Sequence, residues 1–200
     1  MLNEIRPAVM LLVLLTLITG LAYPLAMTGL AVTLFTYAAE GSLVRRDGQV
    51  IGSALIGQEF KSERYFHGRP SVTTGGDPAD PTKSVVQPYN AANSMASNLG
   101  PTNKALAERV AADVNRLKQE NPNMPVPIDL VTTTGSGLDP DISPEAAMFQ
   151  VPRIAKARGF SEERLRQLVN EHVEQRVFGV LGEPRVNVLE LNLALDQVTS

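Results

Sequence analysis

From Pro7 to Ala39 the chain carries no charged side chain, a run of 33 residues. A membrane-spanning helix needs roughly 20 apolar residues. The stretch "AVMLLVLLTLITGLAYPLAMTGLAVTLF" meets that with length to spare. The surplus reads as tilt, or as helix continuing beyond the bilayer. Pro24 removes one helical hydrogen bond, so a kink is predicted there. The rival reading is a cleaved signal peptide, whose apolar core is about 7–15 residues. This run outlasts such a core, although "TYAAE" at 36–40 mimics a cleavage site. The expectation is an uncleaved anchor over residues 1–40, spanning at 8–32. Arg6 precedes the span and Arg45 and Arg46 follow it, so the positive-inside rule leans only faintly to an inward N-terminus.

Residues 41–200 read as one mixed α+β domain, small enough for a single core. "SLVRRDGQVIGSALIG" (42–57) predicts a hairpin turning at Asp47-Gly48. Residues 60–84 are punctuated by prolines and paired glycines and read as loop, with Tyr65 and Phe66 docked on the core. Pro101 is placed as the first residue of a helix whose apolar face is Leu106, Val110, Val114 and Leu117. Arg109 and Asp113, four apart, pair on its exposed side. "IDLV" (128–131) is a short strand candidate. Ser143-Pro144-Glu145 starts a helix with cap, first-turn proline and first-turn acid. Pro152 is expected to interrupt that helix, and Gly159 to end it. Ser161 caps the next helix, with the apolar stripe Leu165, Leu168, Val169, His172, Val173 and Val177. "VNVLELNLAL" (186–195) alternates leucines with Glu190 and Asn192, which predicts a half-buried strand. The helices would lie between the early hairpin and last strand of one sheet.

The stretch "VTTTGSGLDPDISPEAA" (131–147) offers three chemistries. A Walker phosphate loop needs a lysine after its last glycine; Leu138 follows Gly137. Backbone amides at Gly135, Ser136 and Gly137, or at the helix start by Ser143, can still hold an anion. Asp139, Asp141 and Ser143 have the spacing that opens an EF-hand, but Pro144 and Gln150 stand where glycine and glutamate are required. The plain reading is a turn and cap, with Asp139 and Asp141 bonding local amides. His172 reads as a satisfied core histidine and His67 as a surface or packing residue; neither sits near a GxSxG signature. With no cysteine and two separated histidines, no metal site is expected. The balance of 18 basic and 21 acidic residues argues against nucleic acid as a partner. Arg153, Lys156, Arg158, Arg164, Arg166 and Arg176 are interleaved with glutamates, as on a solvated mixed-charge face. Gln150, beside Pro152, either sits on a helix surface or offers its amide to a polar ligand.

Several stretches are long enough to be distinctive. "GSALIGQEF" (52–60), "YFHGRPS" (65–71), "NLGPTN" (98–103), "VPIDLVTTTGSGLDPDISPEAA" (126–147), "QVPRIAKARG" (150–159) and "RVNVLELNLALD" (185–196) follow in order behind the single span. Together they resemble the C subunits of bacterial Kdp potassium-transporting P-type ATPases. The resemblance implies an accessory single-span subunit of the inner membrane, its domain outside the cytoplasm, facing the periplasm. It would need lipid, a channel-like potassium-translocating subunit and a P-type catalytic subunit around it. It would support assembly and raise the catalytic subunit's affinity for ATP, with no cofactor of its own. In that family a glutamine has been proposed to contact nucleotide, and Gln150 is the candidate because it lies in a matching motif. The residues agree with an accessory role. One helix cannot enclose a polar ion path through lipid. No DKTG phosphorylation motif and no Walker motif is present, so phosphoryl transfer lacks its groups. Two alternatives remain: a nucleotide-binding catalytic chaperone in a transient ternary complex, or an unrelated anchored enzyme or receptor using the Asp139–Asp141 loop.

Overall fold

A computed structural model describes residues 2–80 and 82–198, with side chains from residue 4 onward. Its chain divides into two compact units, Met1–Ile51 and Gly52–Ser200. In the first, α1 (Leu2–Leu17), a π-helical turn (Ile18–Ala22) and α2 (Tyr23–Leu34) run on as one helix. Among the described residues, Glu4–Leu34 is the one helix long and apolar enough to cross a membrane. At 1.5 Å per residue it is about 46 Å long, beyond a hydrocarbon core of about 30 Å. The feature at Pro24 is the π-turn just before it. Pro24 has no N–H, and its ring crowds the carbonyl four residues earlier. Widening the turn makes room, and the Tyr23 N–H bonds the Ile18 carbonyl instead. A short α3 (Thr36–Ala39) precedes the ribbon β1 (Leu43–Arg46) and β2 (Gln49–Ser53). Asp47 and Gly48 both take positive φ, 51° and 79°, the type I′ turn the sequence predicts. The boundary between the units falls inside β2.

The second unit is built around α5 (Pro144–Arg158). The Ser143 hydroxyl accepts from the Ala146 N–H at 3.1 Å, and Gly159 closes the helix at φ 74°. Contrary to the sequence expectation, α5 runs straight through Pro152. Burial decides this. Phe149, Val151 and Ile154 flank the proline and have no exposed surface. Each contributes about 1.5–3 kcal/mol, against about 3 kcal/mol for a helix proline. Against α5 pack α6 (Glu162–Glu171) and, beyond it, α7 (Val188–Gln197). Leu165 and Val169 of α6 and Leu191 and Leu195 of α7 complete the core with Phe66 and Leu130.

The segment at 186–195 is a correction: only Val186 and Asn187 form a strand, β6, and the rest is α7. The segment also satisfies a helical stripe, at Val188, Leu191, Asn192 and Leu195. The Asn187 side chain breaks the tie by capping the Glu190 N–H at 3.1 Å. Asn192, predicted to face outward, is buried. "IDLV" is likewise no strand; Ile128–Leu130 is a 3-10 turn started by Pro127. Helix α4 (Lys104–Glu120) starts three residues after Pro101 because Asn103 supplies the cap, accepting from the Ala105 N–H at 2.9 Å. Its Arg109–Asp113 pair forms at 3.4 Å but is half-buried rather than exposed. Nor is there one sheet. The described strands form three two-stranded ribbons: β1–β2, β3 (Thr74–Gly76) with β4 (Ser84–Val86), and β5 (Asp141–Ile142) with β6. The β3–β4 ribbon pairs Thr74 with Val86 and was hidden in apparent loop.

Helix α6 stops at Glu171, so Val177 leaves the predicted stripe. It lies instead in a finger closed by Glu174–Arg185 and Val177–Leu181 bridges. At the tip Phe178 is 91% exposed and holds φ 54°, an unfavourable backbone for a bulky side chain.

Candidate functional site

The motif "YFHGRPS" is a strap, and residue after residue of it is tied down. The Tyr65 hydroxyl donates to Asp196 at 3.2 Å, and the Arg158 guanidinium stacks on its ring at 4.8 Å. Phe66 enters the core, while its N–H and carbonyl are both bonded by the Asn192 amide, at 2.8 and 2.9 Å. The next residue, His67, is held in the same way by Gln150 of α5, at 2.8 and 3.1 Å. Two carboxamides on two helices therefore read the strap backbone as a neighbouring strand would. Arg69 pairs with Asp139 at 3.1 Å. The Pro70 carbonyl accepts from the Thr134 N–H, and the Ser71 hydroxyl donates to the Gly137 carbonyl at 2.8 Å.

This settles where the Gln150 amide points. It is buried, not on a helix surface. Its NH₂ group donates to the His67 and Ala146 carbonyls, and its oxygen accepts from His67 N–H and the Arg153 guanidinium at 2.8 Å. An amide makes four hydrogen bonds, and all four are made within the chain. Arg153 also pairs with Glu120 at 2.8 Å. Burial, and then the Arg153 charge, pull the His67 imidazole below its ordinary value.

The glycine loop is folded inward in the same manner. Thr134 is buried, and its hydroxyl accepts from the Ser136 and Gly137 N–H groups at 3.2 and 2.8 Å. The Ser136 hydroxyl accepts from Leu138 N–H at 3.1 Å. Gly137 has φ 73°, and a Cβ there would come within 2.3 Å of Thr73 and 2.8 Å of the Met95 carbonyl. Gly135, by contrast, faces open space. Asp139 accepts from the Asp141 N–H at 3.1 Å, as expected of a turn aspartate. Asp141 instead pairs with Arg185 at 3.0 Å. Burial raises the Asp141 carboxyl, opposed by Arg185 and reinforced by Asp139. Asp129, unremarked in the sequence, binds both the N–H and the hydroxyl of Ser143 at 2.7 and 3.1 Å. It orients the cap that starts α5. Half-buried Tyr89, its hydroxyl pushed up to about 12 chiefly by burial, donates to the Arg69 carbonyl at 2.6 Å.

Beside this loop lies a cleft of about 600 Å³ whose walls include Arg69, Asp129, Asp139, Asp141, Glu145 and Arg185. Its two arginines are spent on its own aspartates. Among the described residues no group of three or more acidic or imidazole side chains is arranged to hold a metal ion. The predicted solvated basic face is also partly internal. Arg153 and Arg158 are side-chain staples, 10% and 8% exposed, while Arg166 and Arg176 pair with Glu162 and Glu183. Lys156 is exposed. His172 is half-buried, with Nδ1 2.8 Å from the Leu168 carbonyl, as befits a packing histidine.

Comparison with known proteins adds what the geometry cannot. Residues 5–197 match the family model described as KdpC, the c chain of K+-transporting ATPase. A potassium-transporting ATPase KdpC subunit of Rhodopseudomonas palustris (strain BisB18) is 70% identical over 98% of both chains. The protein of the same name from Bradyrhizobium diazoefficiens is 68% identical over the full length of both. That from Methylorubrum populi is 67% identical over 99% of this chain and 98% of its own.

Proposed function

The chain belongs to the KdpC family, the c chain of K+-transporting ATPases, and on that premise we propose that it is a non-catalytic, single-span accessory subunit of a potassium importer of the bacterial inner membrane. Its partners are the channel-like subunit that carries the ion and the P-type subunit that hydrolyses ATP. The observation that carries this reading is that, among the described residues, Glu4–Leu34 is the one helix long and apolar enough to span, and it is free of charge from Pro7 onward. One such helix packs beside an ion path but cannot form it. Its second unit, with buried polar groups turned inward, works through surface contacts. Deleting the chain and measuring potassium-stimulated ATPase activity and complex assembly tests this. Both are expected to fall, and both remaining intact would remove the reading.

The domain lies outside the cytoplasm in this proposal, and its effect on ATP affinity is indirect. It arises from differential contact with two states of the catalytic subunit. The saturated Gln150 amide and the inward-facing amides of the glycine loop support coupling over direct nucleotide contact. Labelling decides the side. The chain has no cysteine, so Ser84→Cys at an exposed position gives one thiol. Reaction with an impermeant reagent in intact spheroplasts is expected. Protection until the membrane is broken, together with saturable ATP binding, would make the ternary complex with nucleotide the mechanism instead.

A further inference from the structure

Thr19 stands at the middle of the apolar helix, 15 residues from Glu4 and 15 from Leu34. In an α-helix its carbonyl would accept from the N–H four residues on, and in a π-turn from the one five residues on. Here the first, Tyr23 N–H, is bonded to Ile18. The second residue is Pro24, which has no N–H. The Thr19 hydroxyl offers no help, because it donates to the Leu15 carbonyl at 2.7 Å. The Thr19 carbonyl is thus left without either of its helical donors. Both Thr19 and Gly20 are exposed. Lipid tails cannot donate, so an unpaired backbone group at mid-bilayer depth is costly.

We propose that the Thr19 carbonyl accepts a hydrogen bond from a hydroxyl or carboxamide side chain on a membrane helix of another subunit of the same transporter, packed against Gly20. The inference rests on the functional reading above. Gly20 follows Thr19 directly, and a Cβ there would meet nothing closer than the Thr16 methyl at 3.9 Å. A glycine at that point lets a second backbone come near enough to reach the carbonyl. The acceptor determines the partner's chemistry: a purely aliphatic helix leaves it unmet, and so does lipid. The π-turn and Pro24 are then a polar contact point built without a polar side chain.

The test uses the tagged full chain co-expressed with the other subunits, extracted in mild detergent, with the recovered subunits quantified. Pro24→Ala returns an N–H to the helix and favours helix formation. It is expected to weaken recovery about threefold to twentyfold, the span of measured interhelical hydrogen bonds in membranes. Gly20→Leu keeps the π-turn but blocks approach, and is expected to do the same. Gly29→Leu is the control, since its Cβ also meets open space, and should recover partners as the wild type does. Pro24→Ala at wild-type recovery would overturn the proposal, as would an equal loss from Gly29→Leu. A wild-type chain that recovers no partner would remove the functional reading as well.

Discussion

The two units of this chain satisfy the same physical demands in opposite ways. The second unit closes on itself. Phe66, Phe149 and Leu191 are fully buried, and carboxamides on α5 and α7 bond the strap backbone. The helix of the first unit closes on nothing within the chain. Its apolar side chains are exposed along the length of the helix, and one mid-helix carbonyl lacks its helical donors. One unit carries its stability within it; the other, in the proposed reading, borrows stability from bilayer and neighbours. The accessory role proposed above suits such a division.

The contrast is sharpest under core truncation. Phe149→Ala is expected to cost the second unit about 3–5 kcal/mol. In thermal unfolding of the full chain in detergent, followed by far-UV circular dichroism, its transition should drop by about 6–20 degrees. The helicity of residues 2–34 should persist beyond it. A single transition carrying both units down together would break the comparison. Asn192→Ala probes the polar half of the same closure. It strands the Phe66 N–H and carbonyl in the core at about 1–3 kcal/mol for each group. Denaturant titration of the same transition should show a loss of about 2–6 kcal/mol; a loss below that of a surface substitution would mean the strap is only loosely held.

Phe178 is where the second unit departs from its own rule. Phe178→Gly relieves the positive φ and is expected to stabilise the transition by about 0.5–1 kcal/mol. A loss instead would mean the exposed ring packs on something. The smallest effect is titration. His67 lies below its ordinary 6.5 in the fold. Its folded state therefore holds the proton less tightly than the unfolded chain, so its stabilising contribution is complete above about pH 6.5 and declines as pH falls. Midpoints measured from pH 7 to 5 should fall, and His67→Asn should flatten that slope. The uncharged span should show no such dependence.

What the sequence makes legible is local. Asp47-Gly48, Ser143-Pro144, Ser161 and Gly159 each act on their own few residues, and each is found where it was read. The failures are contests that distance decides. Pro152 survives within α5 because burial on every side outweighs one hydrogen bond. The leucines of 189–195 fit two periods, and Asn187 chooses between them. In the site, the Asp139 turn was readable, but the tasks of Gln150 and Asn192 were not. Their partners lie 83 and 126 residues away in the chain, beyond the reach of any local pattern. Asp129 carried a faint signal, an acid before a capped helix, that spacing alone could not connect to Ser143.

The strap has a consequence for how the protein is made. Phe66 leaves the ribosome 126 residues before Asn192, which bonds its backbone. At about 5–20 residues per second, that interval is roughly 6–25 s. Throughout it the N-terminal helix is already available for insertion, while the strap has no α7 to close on. On the proposed reading, membrane targeting therefore precedes completion of the fold, and α7, made well after the span, is the helix that locks the strap in place.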